Sequence, residues 1–157
     1  MMKKVLVFLF FALVLLLSGC GTEQTIFGLS PKEFDVVTQT DSHGGFHGDG
    51  LYVLVLDCAQ NREQALETVE EWNALPLSEP LRLMMYDGEK DGIVYGYLGE
   101  ENLLPEIENG FYRFEDRHDQ SRDSADDTSL LSRASFNFSL AVYDADTDRL
   151  YYFEMDT

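Results

Sequence analysis

The stretch that most constrains the fold is near the C-terminus, "ASFNFSLAVYDADTDRLYYFEMD", residues 134–156. Two runs rich in β-branched and aromatic residues flank a polar, turn-forming segment. They predict two strands joined over residues 144–149. Further strands are predicted at "FDVVTQT" (34–40), at "LYVLVLD" (51–57, the clearest of them) and at "NGFYRFED" (109–116), with a weaker one at "GIVYGYLG" (92–99).

Two segments follow the helical period instead. In "NREQALETVEEWNAL" (61–75), Asn61 is the predicted cap and Gln64 stands at the reciprocal capping position. Ala65, Val69 and Trp72 fall at i, i+4 and i+7, with Leu66 beside them. In "SEPLRLMMYDG" (78–88), Ser78 is the cap, Pro80 lies near the start, Leu81, Met84 and Met85 share a face, and Gly88 is the stop. A strand competes with this second helix. "SPKE" (30–33) makes at most one helical turn. The expected fold is α+β: a mainly antiparallel sheet of four to six strands with one or two helices packed on one face, the Trp72 helix across it.

The N-terminus has a different character. Lys3 and Lys4 precede an unbroken apolar run, residues 5–17, followed by Ser18 and Gly19. Thirteen apolar residues fall short of roughly 30 Å of hydrocarbon at about 1.5 Å per residue, so the run predicts a signal peptide rather than a permanent span. "LSGC" at 17–20 resembles the lipobox of bacterial lipoproteins, small residues before an obligatory cysteine. That resemblance implies cleavage before Cys20 and a diacylglyceryl thioether on its sulfur. Two acyl chains hold a protein stably on a bilayer where one does not. The expected organisation is a signal peptide at 1–19, a lipid-anchored tether at 20–30 and a single globular domain at 31–157. The expected location is the extracytoplasmic face of a bacterial cell membrane, with the lipid on Cys20 as the membrane contact.

Charge narrows the partners. The chain carries 11 Lys and Arg against 29 Asp and Glu, a net charge of −18, and losing the leader with Lys3 and Lys4 makes it −20. Such a domain has no basic footprint for a phosphate backbone or anionic headgroups, which disfavours nucleic acid and direct docking on the bilayer. The electrostatically favoured partners are a cationic ligand or a basic envelope protein, with the domain itself a monomer. Once Cys20 is acylated, Cys58 is the remaining cysteine, so no intramolecular disulfide forms. It ends "LYVLVLDC", where burial as a small hydrophobe is expected.

One segment has the look of a site: "HGGFHGDG", residues 43–50. It runs into a strand and lacks the lysine and spacing of a phosphate loop, so phosphate binding is rejected. His43, His47, Asp49 and Asp41 offer ligands for a divalent metal, and His118, in the acidic stretch "FEDRHDQSRDSADDT", stands ready to complete a shell. The structural alternative is a tight turn whose glycines supply positive φ and whose polar side chains bond local backbone. "DADTDR" begins like a calcium loop but has Arg149 where the turn glycine belongs and Met155 where the bidentate glutamate should stand, so a hairpin loop is expected. Hydrolase, metalloprotease and redox motifs are missing, and no catalytic residue is assigned.

"DSHGGFHGDG", "GFYRFEDRHDQSRD" and "RASFNFSLAVYD" together resemble stretches of small lipoproteins of Gram-positive bacteria with no assigned activity. The resemblance implies an exported, lipid-anchored domain and carries over no functional residue beyond Cys20. The leading expectation is a non-catalytic module that binds a ligand or partner. The rivals are a metal-binding protein or metal-dependent hydrolase centred on His43, His47 and Asp49, and a purely structural envelope component.

Overall fold

In a computed structural model, residues 25–44, 48–96, 103–118 and 123–157 are described. The leader, Cys20, His47, Asp119 and Gln120 lie outside them. The expected α+β architecture is present. Eight strands occur among the described residues: β1 (Asp35–Asp41), β2 (Gly50–Asp57), β3 (Asn73–Ala74), β4 (Gly88–Lys90), β5 (Ile93–Tyr95), β6 (Gly110–Asp116), β7 (Asn137–Asp144) and β8 (Arg149–Asp156). Six form one sheet in the order β1-β2-β8-β7-β6-β3, every neighbour antiparallel, and β4 pairs with β5 in a separate hairpin. Among the described residues the α-helices are α1 (Arg62–Val69) and α2 (Glu79–Tyr86).

The hairpin β7–β8 sits in the middle of the sheet. Around its middle its side chains, like those of β2, are apolar on both faces because both faces are covered there. On one face Val53, Val55, Phe138, Leu140, Val142, Tyr151 and Phe153 meet Leu81, Met84 and Met85 of α2. Each of those three helix side chains is almost fully buried, which contributes roughly 1.5–3 kcal/mol apiece. On the other face Leu54, Leu56, Ala141, Tyr143, Leu150 and Tyr152 meet Ala65 and Val69 of α1, Trp72, and Ile26, Leu29 and Phe34 from the segment before β1. The Trp72 segment thus packs across one face as expected, while α2 takes the opposite face.

Helix α1 is shorter than its pattern. It ends at Val69, after which the amides of Glu71 and Trp72 tighten onto the carbonyls of Thr68 and Val69, three residues back. Sheet pairing wins beyond that point, since Asn73 and Ala74 join β6 opposite Tyr112 and Phe111. The expected capping box is not made. Asn61 donates instead to the carbonyl of Glu33 at 2.5 Å and Gln64 to the Glu33 carboxylate, tying the helix start to the 3-10 turn Pro31–Glu33. Helix α2 is capped as expected, Ser78 Oγ accepting from the amide of Leu81 at 3.3 Å, and the competing strand does not form.

Candidate functional site

The glycine-rich segment joins β1 to β2. The ladder continues past the last paired strand residues: the amide of Ser42 donates to Leu51 O at 3.0 Å and the amide of Leu51 to Ser42 Oγ at 2.8 Å. The amide of Gly44 then reaches Asp49 O at 3.4 Å. Gly50 has the most constrained place, because a Cβ there would stand 2.4 Å from the Cα of His43. The backbone of His43 crosses directly above Gly50, and the missing side chain is what allows the crossing.

That crossing aims His43 across the sheet. Its amide and its Nδ1 both meet Asp41 Oδ1, at 2.9 and 2.7 Å, and its Nε2 lies 3.2 Å from Asp156 Oδ2 at the end of β8. The imidazole therefore clips the edge strand to the centre of the sheet. The Asp41 carboxyl is held below the usual carboxylate range, first by the backbone amide of His43 and then by its ring. Asp156 continues the chain of charge. Arg117 Nη2 lies 3.1 and 3.3 Å from its two oxygens and 3.2 Å from Phe138 O, and Arg117 Nη1 is 3.8 Å from Glu154.

These groups belong to a larger surface. On the α1 face, register aligns Tyr52 and Gly50 of β2, Glu154 and Asp156 of β8, Ser139 and Asn137 of β7, and Arg113, Glu115 and Arg117 from β6 and just beyond it. The half of this face nearer α1 is apolar and covered. Among the described residues no helix covers the other half. Its border is a row of aromatic rings in edge contact: Tyr52 with Tyr152 at 6.1 Å, Tyr152 with Phe27 at 6.2 Å and Phe27 with Trp72 at 6.0 Å. Arg113 stacks its guanidinium 5.5 Å from the Phe27 centroid. The result is an open polar floor of alternating charge beside an aromatic wall, an arrangement suited to binding.

The sequence-predicted ligands are not gathered there as a set. His43 spends both ring nitrogens on carboxylates, and Asp49 is exposed at the turn. His118 follows Arg117 with its amide on Asp116 Oδ1 at 3.0 Å, and His47 lies outside the described residues. Among the described residues no group of three or more His, Cys, Asp or Glu is placed to hold a metal ion. The described acids of residues 123–127 are held by two local turns and one contact with the start of α2. Asp123 accepts from the amide of Ala125 at 3.0 Å, Asp126 from the amide of Thr128 at 3.0 Å, and Asp127 from Ser78 Oγ. Asp116 differs, because it is buried and receives the Arg133 guanidinium at 2.6 and 3.0 Å. Burial opposes its ionisation, but Arg133 and the His118 amide outweigh that and hold the carboxyl below the usual range.

Elsewhere, Asp144 closes its own turn through the amide of Asp146 at 2.9 Å and Thr147 Oγ1 at 2.6 Å, so the "DADTDR" segment is a hairpin loop between β7 and β8. Cys58 is fully buried and its thiol is pushed up to about 12, by burial first and then by Asp57 and Asp148. So little thiolate at neutral pH leaves it a packing residue. The chain matches no family model, no curated protein and no solved structure.

What the local spacing of residues missed is the polar half-face itself. Its signal was present in the alternation: Leu150, Tyr152, Glu154 and Asp156 on β8, and Phe111, Arg113 and Glu115 on β6 with Arg117 just beyond it, each pass from apolar to charged along one face. Only the register between strands turns those separate alternations into one surface.

Proposed function

We propose that this chain is a lipid-anchored domain on the extracytoplasmic face of a bacterial membrane, held through Cys20, that works as a non-catalytic binding module. The observation that carries the binding reading is the open half-face, where Arg113, Glu115, Arg117, Glu154 and Asp156 lie together without a helix over them. The anchoring reading is supported by "LSGC" after the short apolar run. No helix among the described residues is long and apolar enough to cross a membrane. Five residue steps separate Cys20 from Thr25, a reach of at most about 18 Å, so an acylated Cys20 keeps the domain close to the bilayer. A divalent-metal site at His43, His47, Asp49 and His118 has weaker support, because His43 already bonds Asp41 and Asp156.

Two measurements test this. The mature N-terminus, analysed by mass spectrometry, is expected to begin at Cys20 with a diacylglyceryl modification, and Cys20→Ala is expected to release the protein from membranes. An unmodified Cys20 or cleavage elsewhere removes the anchor. A photo-crosslinking side chain placed at Glu115 or Asn137 is expected to yield a discrete adduct in cells, whereas one at Glu67 on the outside of α1 is not. Equal labelling from both faces, or from neither, removes the binding surface.

A further inference from the structure

The outer strand β1 has features that a merely exposed edge does not need. All seven of its residues are exposed, among them Val36 at 55 % and Val37 at 48 %. Alternate residues of an antiparallel edge strand turn both backbone groups outward. Counting back from Ser42, whose amide bonds Leu51 O, Thr40 and Thr38 face β2, and Gln39 and Asp41 present their N–H and C=O to the open side. Proteins usually blunt such edges. Here the irregularity between Val36 and Thr38 sits at the start of the strand and leaves residues 38–41 in regular register. The opposite edge, β3, has two residues and offers no comparable template.

A cavity adjoins this edge on the α1 face. It measures about 220 Å³ and is lined by Ile26, Pro31, Val36, Tyr52, Leu54 and Tyr152, enough room for one branched aliphatic side chain. Lys32 at its rim already engages a partner of its own. Both ends of the strand carry a carboxylate, Asp35 and Asp41, on a chain of net charge −18. A second copy of this chain would bring those carboxylates and two such net charges together, which disfavours self-pairing.

We propose that β1 is a strand-addition site for an extended, positively charged peptide segment of a partner protein. Backbone bonds form with Gln39 and Asp41, basic side chains lie near Asp35 and Asp41, and one branched aliphatic side chain occupies the cavity. This rests on the reading of the chain as a binding module and names the kind of partner.

The probe is a capped, fluorescein-labelled Lys-Thr-Val-Thr-Val-Lys peptide, titrated by anisotropy at low salt onto the full chain in detergent. Saturable binding is expected. Alternate backbone N-methylation of the peptide, or Glu in place of both Lys, should weaken it at least tenfold on the unaltered protein. The bound peptide should slow hydrogen exchange at the amides of Gln39 and Asp41 and leave those of Thr38 and Thr40 as they were. Strand addition is overturned if no saturable binding occurs, if the N-methylated peptide binds equally well, or if the chain is a dimer with those amides already protected. Crosslinks at Glu115 or Asn137 without peptide binding would leave the binding-module reading standing and remove only strand addition. Peptide binding without crosslinks would keep the edge and remove the half-face.

Discussion

Gly50 shows how one missing side chain sets a site. Because the His43 backbone lies over it, Gly50→Ala forces backbone to move and is expected to be the most destabilising of the turn's glycine changes, by about 2 kcal/mol or more. Gly48 has φ +74° with open space around it, so Gly48→Ala meets only the left-handed conformational cost, about 1 kcal/mol. Gly44→Ala, whose nearest contact would be 3.8 Å, is expected to stay within about 0.5 kcal/mol. Denaturant unfolding of the three variants checks the order. If Gly50→Ala is as mild as Gly44→Ala, His43 does not cross where the structure puts it. The partner that explains His43, Asp156, lies at the far end of the chain, so no local motif announces it. The spacing "HGGFHGDG" was legible as a turn, and the histidine's role was not.

Between elements, the strongest single tie of the acidic segment is Asp116 at the end of β6 to Arg133 before β7. Both carboxylate oxygens are used, yet Arg133 Nε is buried without a partner, so the pair recovers only part of its desolvation cost. Arg133→Ala leaves a buried carboxylate with only the His118 amide as partner among those described and is expected to cost about 3 kcal/mol, while the Asp116→Asn, Arg133→Met double variant should regain most of that. A double variant as unstable as Arg133→Ala alone would mean that the tie stabilises in its own right. At this scale the sequence was legible where a short-range rule decides. The β7–β8 hairpin follows from two runs rich in β-branched and aromatic residues around a polar turn, and α2 from Ser78 and its apolar face. It was illegible where tertiary pairing competes: β3 takes residues 73 and 74 out of the helical pattern that began at Asn61. The placing of α2 opposite α1 follows from two-sided burial of β2 and β8, a choice that the helix pattern alone does not encode.

For the molecule as a whole, the balance is between a large negative charge and a few carboxylates held in ionic contacts. At neutral pH the net −18 repels itself, and protons taken up on acidification remove that repulsion, so stability is expected to rise as pH falls from 7. Asp116 sets the opposite limb. Its folded pKa lies below the unfolded value near 4, so its contribution is fully present above that value and is lost as pH falls through the lower, folded one. Asp41, lowered mainly by the His43 amide, has the same sign, but its exposure leaves Asp116 the group to follow. A melting-temperature maximum between about pH 4 and 5 follows, with a fall on the acid side that Asp116→Asn should flatten. Salt separates the two terms at pH 7: 0.5 M NaCl brings the Debye length to about 4 Å and screens the surface charge, while the buried Asp116–Arg133 pair is screened far less. Added salt is therefore expected to raise the melting temperature at pH 7 and to do little at the maximum. A melting temperature lowered by salt at pH 7 would show that ion pairs such as Arg117–Asp156, rather than net repulsion, dominate the electrostatics of the fold.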